Sequence, residues 1–499
     1  MNTQSSLPPV QPARRLSGLA FWGLALLALG YASQRRSLWA DEFHSLHHAQ
    51  VEGWSAFLDS VRTDNHPPLS FFLEKLSIQL FGPAEWALRL PSLLIGLLFL
   101  WMLRHSIGLL APQSWAQRAP WMALASSYYL VIFSEARMYA LLALASLGLM
   151  LTLAGVLDGT RARAGRWWLA LWIAIGLHSH YYFFYELGVT LGFLGLVWAL
   201  QPQTRKQFRD LLMPALLGGL LFLPWGYFGF WVQLNGDLPP GRAAGNLSAL
   251  RDGFAHMFHW NASLGGDWAV RYVAIPGTLF AVLAGLLGLL RLAPLLRSKG
   301  PGGVQSLMLL SYGIGLPLLT WVISRFSERS TFGWRYLAGA AIAVQIIATI
   351  GLAGTSRLRR GLWALLMCTM GAISWINLSS GGHEDHRQLF EHILAHGRST
   401  DAIMDKPPYD PQPLQEESSW GYYVARYQQR ENPELPTEFG YDQLTKAQQS
   451  ARVWVWFRDQ YHPWVRRELL RTHDLEQQWQ MGPALTLHLF SKSSPPKTQ

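Results

Sequence analysis

The sequence predicts a polytopic α-helical membrane protein with about eleven transmembrane helices and a small α/β domain at its carboxyl end. Three observations predict it. Of 499 residues, 50% are hydrophobic and only 14% are charged, against roughly 25% charged in soluble proteins. Apolar runs long enough to cross about 30 Å of hydrocarbon recur from Leu16 to Leu378. Arginine clusters fall in alternate connections between those runs, as they do in cytoplasmic loops.

The first run, 16–32, follows Arg14 and Arg15 and reads as a retained helix with its amino end in the cytoplasm, not as a cleaved signal peptide. Further runs lie near 90–111, 119–134, 138–157, 167–184, 186–200, 211–231, 269–290, 304–323, 334–353 and 361–378. Arg104 and Arg118, then Arg161, Arg163 and Arg166, then Arg205, Lys206 and Arg209, then Arg291, Arg297 and Lys299, then Arg357, Arg359 and Arg360 all fall on the side of Arg14 and Arg15. That orientation puts the loops 34–88 and 232–268 on the outer face. It divides the chain into a membrane domain, 1–380, and an extracytoplasmic domain, 381–499. In the latter, 453–457 and 485–489 have strand character, and helical patterns lie near 385–397 and 463–479.

The net charge of +10 raises the question of nucleic acid, but the basic residues lie between apolar runs and not along one face, which excludes that partner in favour of the lipid bilayer. The single cysteine, Cys368, excludes an intrachain disulfide and any multi-cysteine metal cluster.

Polar residues gather in four segments. The first outer loop carries Asp41 and Glu42 just beyond a span, then Asp64 and His66, residue types suited to proton abstraction or metal binding and equally common in a solvated loop. Glu135, Arg137 and Tyr139 stand between two apolar runs, where ionisable groups are costly unless paired or functional. His178, His180, Tyr181 and Glu186 crowd the end of another run, with an aromatic belt accounting only for the tyrosine. Arg325, Glu328, Arg329, Arg335 and Tyr336 break the usual scarcity of positive charge in outer loops. Arginine matches phosphate bidentately, so these side chains suit an anionic lipid head group, whether as a site or as membrane anchors. The derived topology places all four segments on one face. The spans are nearly free of ionisable residues at mid-membrane, where a transporter would place its site. The residues therefore point to an active site at the outer mouth of a helical bundle.

Together these residues resemble the polytopic lipid-linked sugar transferases of the GT-C superfamily, in particular bacterial relatives of protein O-mannosyltransferases and of the lipid A aminoarabinose transferase. The resemblance rests on Asp41-Glu42, His66-Pro67-Pro68-Leu69, Arg89-Leu90-Pro91-Ser92, Glu135-Ala136-Arg137-Met138-Tyr139, His178-Ser179-His180-Tyr181 and Arg335-Tyr336-Leu337, and so covers roughly 16–340. It implies inverting transfer of a sugar from a polyprenyl-phosphate donor to a hydroxyl of a lipid, glycan or protein acceptor, in a bacterial inner membrane. It makes Asp41 the catalytic base, with Glu42 and Asp64 as further catalytic acids, and puts Arg137 and Arg335 near the lipid phosphate. His66, Glu135, Tyr139, His180, Tyr181 and Tyr336 are then substrate-binding candidates. A divalent cation on Asp41, Asp64 and His66, or on His178 and His180, is left open, as are a lipid-linked sugar flippase and a polymerase or ligase using the same carriers.

Overall fold

A computed structural model describes residues 12–159, 163–235, 246–260, 262–326, 332–379, 385–398, 401–404, 448–458, 466, 469–481 and 485–493. Glu328 and Arg329 lie outside the described residues. Among those described, seven helices are long and apolar enough to cross a membrane: Glu85–Leu109, Tyr139–Leu157, Phe183–Leu200, Pro202–Asn235, Ala262–Arg297, Pro301–Phe326 and Arg357–Ser379. The protein is integral to the membrane.

Of the remaining apolar runs, 16–32 forms one unbroken helix and the other three are interrupted. The run 16–32 lies within α1 (Pro12–Arg35). The run 119–134 breaks at Ser126, whose extended backbone separates Ala119–Ala125 from Ser127–Ile132. Neighbours supply the partners: Ser126 Oγ donates to Met257 O at 3.2 Å and accepts from Gln345 Nε2 at 3.1 Å. The run 167–184 is α-helical from Trp168 to Ser179, about 18 Å, and turns before helix Phe183–Leu200 begins. The run 334–353 becomes α-helical at Ala338, leaving Trp334–Tyr336 as a tight turn.

Helix Tyr139–Leu157 is buried along its whole length, as a helix apolar on every side must be. Small residues let the surrounding helices approach closely. A Cβ at Gly351 would strike the Ala284 carbonyl, and one at Gly288 would meet that of Ile347, the small-residue packing that replaces the hydrophobic effect between helices in lipid.

Three shorter helices, α2 (Ala40–Gln50), α3 (Trp54–Arg62) and α4 (Leu69–Phe81), fill the loop between α1 and α5 (Glu85–Ser106). At the carboxyl end, helix His386–His396 packs Leu389, Phe390 and Ile393 on Trp454, Leu487 and Leu489 of a sheet. That sheet has β1 (Ala402–Met404), β2 (Arg452–Arg458), β3 (His473–Gln480) and β4 (Leu485–Lys492) in the order β1-β2-β4-β3, with only β1 and β2 parallel. The helical pattern expected over 463–479 is corrected here: its second half is strand β3, because pairing with β4 along the edge outweighs the four-residue spacing of Leu475 and Trp479. This unit docks beside α2. His386 N donates to Ser37 Oγ at 3.1 Å, the His386 ring lies 5.5 Å from Phe43, and Arg387 pairs with Glu85.

Candidate active site

Helix α2 begins at Ala40, so Asp41 and Glu42 occupy its first turn, where the helix dipole favours negative charge. They point about 100° apart around the helix and meet different surroundings. Glu42 turns inward and is fully buried. Its Oε1 accepts from Arg89 Nε at 2.7 Å and Ala136 N at 2.8 Å; Oε2 accepts from Arg89 Nη2 at 2.5 Å and Trp39 N at 3.3 Å. Arg89 also donates to the carbonyls of Ser33, Arg36 and Ser37 at 2.6–2.8 Å, satisfying the otherwise open end of α1. Glu135 is drawn into the same junction, with Arg36 Nη2 at 3.1 Å.

Asp41 turns the other way, together with Ser45 and His48 at helical spacing. Its carboxylate lies 3.4 Å from Arg335 Nη1, in a pair left 23% and 16% exposed. Its carbonyl accepts from Arg137 Nη1 at 2.9 Å, and the same nitrogen reaches Ser45 Oγ at 3.4 Å. The Arg335 guanidinium is held over Trp39 at 4.2 Å, Trp334 at 5.0 Å and Trp260 at 5.8 Å, a cation–π cradle that fixes its plane. Arg137 Nε and Arg335 Nε are buried donors with no acceptor among the described residues.

Aromatic rings wall this mouth. His180 lies 5.3 Å from His66, 4.7 Å from Tyr336 and 6.1 Å from Tyr139, with Tyr139 and Tyr336 6.0 Å apart. Tyr181 stands behind the wall: its hydroxyl meets Gln233 and accepts from Trp225 Nε1 at 3.0 Å. Gln233 in turn donates to the backbone carbonyls of Val61 and His66 at 2.9 and 3.2 Å, tying down the turn before α4. In that turn Asp64 accepts from His66 Nδ1 at 2.8 Å and His48 Nε2 at 3.1 Å. Burial alone would raise the Asp64 carboxyl, but these hydrogen bonds and the nearby imidazole charge hold it well below the usual carboxylate range. Glu74 on α4 has the opposite environment. Burial outweighs its hydrogen bond from Ser70 and the charge of Arg137, and the carboxyl is pushed up to about 8.

The structure thus brings together Asp41, Asp64, His66, Arg137, Tyr139, His180, Arg335 and Tyr336, drawn from segments far apart in sequence. Glu42, Glu135 and Tyr181 lie behind them in the supporting frame. His178 bonds back to Ala174 O of its own helix at 2.8 Å, away from the mouth. Among the described residues no group of three or more His, Cys, Asp or Glu is arranged to hold a metal ion. Sequence reasoning missed Trp39, Trp260, His48 and Glu74. Of these, His48 had a readable signal, standing one helical face along from Asp41.

An apolar groove of about 170 Å³ lies between the helices, lined by Phe254, Phe258, Leu286, Ile314, Val344 and Ile347 among others. It shares helix Leu247–His259 with His256, whose ring stacks on Trp334 at 5.1 Å.

Residues 65–228, less than half of the chain, match the family model of dolichyl-phosphate-mannose-protein mannosyltransferases. Two solved structures of ArnT from Cupriavidus metallidurans, one bound to undecaprenyl phosphate and one in the apo state, are similar over nearly the whole length. Each gives a TM-score of 0.52 at 13% identity; they cover 95% and 96% of this chain and 98% of their own. No curated protein matches in sequence. The chain has the GT-C fold, and its likeness to GT-C membrane glycosyltransferases now rests on structure as well as on short motifs.

Proposed function

We propose that this GT-C-fold protein is a membrane glycosyltransferase that moves a sugar from a polyprenyl-phosphate donor to an acceptor hydroxyl at the outer membrane face, with inversion. The observation that carries the reading is the incomplete mouth. Two arginines from distant segments converge on Asp41, Arg335 on its carboxylate and Arg137 on its main-chain carbonyl, and each keeps a buried Nε donor without an acceptor among the described residues. That arrangement suits the phosphate of a lipid donor, since guanidinium groups stabilise charge developing on a leaving phosphate in a water-poor site. The apolar groove, which shares helix Leu247–His259 with the His256 that stacks on Trp334, suits isoprene units of such a lipid. The undecaprenyl phosphate bound to the ArnT structure lends support by likeness of fold.

In this reading Asp41 is the base that takes the acceptor proton, because it is the more exposed carboxylate of the mouth, 23% against 14% for Asp64, and among the described residues its carboxylate has one side-chain contact, Arg335 at 3.4 Å. One base suffices when the leaving group departs as an anion; two opposed carboxyls are needed where water attacks. Tyr139, Tyr336, His180 and His66 form the wall for the sugar, and Glu42 with Glu135 sets the frame. Residues 1–380 form the membrane domain and 381–499 the extracytoplasmic one. The amino terminus is cytoplasmic in a bacterial inner membrane, an orientation supported by the interspan arginines. The experiment is mass spectrometry of envelope glycans and glycolipids from cells with and without the protein, followed by transfer assays with purified polyprenyl-phosphate sugars. Loss of one glycosylated product is expected. Unchanged glycans with altered sidedness of a lipid-linked sugar would replace the transferase by a flippase.

A further inference from the structure

The acid–imidazole chain behind the mouth has a fixed direction. Ser60 Oγ lies 2.6 Å from His48 Nδ1, His48 Nε2 lies 3.1 Å from Asp64 Oδ2, and Asp64 Oδ1 lies 2.8 Å from His66 Nδ1. Asn65 N donates to the same Oδ1 at 2.7 Å. An ionised carboxylate only accepts, so both facing imidazole nitrogens carry hydrogen. His48 Nδ1 is then the acceptor for the Ser60 hydroxyl. His66 keeps its proton on Nδ1, leaving Nε2 as a lone pair with no hydrogen-bond partner given by the described residues, on a side chain 13% exposed at the mouth. Asp64, with both oxygens engaged, is occupied in orienting His66.

We propose that His66 is a proton-relay residue of the transfer reaction: the proton that leaves the acceptor hydroxyl passes from Asp41 to His66 Nε2, while Asp64, His48 and Ser60 hold the imidazole in the required tautomer. The proposal rests on the transfer reading given above. The acceptor O–H bond breaks as its oxygen bonds to the anomeric carbon, and the sugar–phosphate C–O bond breaks with its electron pair on phosphate. The proton on Asp41 then moves to Nε2, restoring the carboxylate. The imidazolium so formed is stabilised by Asp64 and loses its proton to solvent, the part a buried carboxylate plays for a catalytic histidine elsewhere.

The groups that bias His66 are Asp64 in its own turn, Asp41 on α2, Arg137 in the 133–138 turn and the His180 ring at the end of helix Trp168–Ser179. Burial pushes the imidazole below its ordinary range and Arg137 acts the same way, against the pull of the two carboxylates. It is therefore neutral near pH 7 and able to accept.

The test uses the full chain in detergent with a polyprenyl-phosphate sugar donor, comparing wild type with His66→Gln, Asp64→Asn and His66→Gly. Wild-type kcat is expected to fall on the acid side as His66 protonates. His66→Gln should lower kcat about 10²-fold or more, a far larger change than any in donor KM, and abolish that limb. Asp64→Asn, whose amide offers a hydrogen where an acceptor is needed, should lower kcat comparably. Added imidazole should restore part of the rate to His66→Gly and none to Asp41→Asn. Normal kcat with the limb intact in His66→Gln, or a raised donor KM at normal kcat, would overturn the relay and leave His66 as part of the sugar wall alone. A wild type that transfers nothing would sink the transfer reading instead. Nitrogen-15 spectra of labelled histidine, which need no substrate, decide the tautomer alone: an Nε2–H form of His66 overturns the proposal.

Discussion

Two acid–arginine assemblies stand on different faces of α2, nucleated by neighbouring residues. Around Glu42 the pairing is complete. Arg89 and two backbone amides fill both oxygens, and Arg89 uses its remaining hydrogens on the end of α1. Around Asp41 it is incomplete: the carboxylate has one long contact to Arg335, and the Nε donors of Arg137 and Arg335 find no acceptor among the described residues. The residue types are the same, and so is the loop. Rotation of one helix thus sends two adjacent acids into different surroundings, one closed by its arginine and one left open at the mouth.

The comparison can be broken most forcefully at its closed end. Arg89→Ala or Glu42→Ala leaves an uncompensated charge at 0–1% exposure, which costs about 3–5 kcal/mol. Little folded protein should be recovered, and thermal midpoints in detergent measure the loss; a stable, inactive Arg89→Ala would instead move that pair into the catalytic centre. At the open end, Asp41→Asn should retain the fold while kcat drops roughly 10²–10⁴-fold, read as turnover beside donor affinity. Normal turnover there would remove Asp41 as the base.

A smaller effect is expected from Arg137→Ala and Arg335→Ala. Each should weaken donor use by about 1.5–3 kcal/mol, the worth of a charged hydrogen bond, with lysine restoring only part because it lacks the planar fork. Equal losses toward donor and acceptor would deny the phosphate role. The gentlest test is stability against pH. Glu74 has its carboxyl raised from 4.5 to about 8, so the folded chain binds a proton the unfolded chain has released. Its stabilising contribution is full below pH 4.5 and declines as pH rises toward 8, by at most about 1.4 kcal/mol per unit. Glu74→Gln should flatten that decline; an unchanged slope would show that another group sets it.

Much of the frame was legible because bilayer thickness and loop charge leave strong marks. The apolar runs became helices, and Asp41, Arg137 and Arg335 were found as charges next to spans. What the sequence hid was the division of labour between Asp41 and Glu42, which depends on helix rotation and on Arg89, dozens of residues away. The same holds for Glu135, where Arg137 was the obvious local partner and Arg36 is the actual one. The break at Ser126 and the strand His473–Gln480 were hidden for a related reason: both are decided by distant elements that satisfy the backbone, and the local pattern carries no trace of them.

Helix Tyr139–Leu157, buried along its full length, has one more consequence. It carries Tyr139 and directly follows the turn of Arg137, and none of its surface meets lipid. A change in bilayer thickness acts on helices that touch hydrocarbon, tilting them or stretching the lipid around them. This helix is insulated from that force by the ring of helices around it. The depth of the mouth is therefore fixed by protein packing, and the active site should keep its shape in membranes of different thickness.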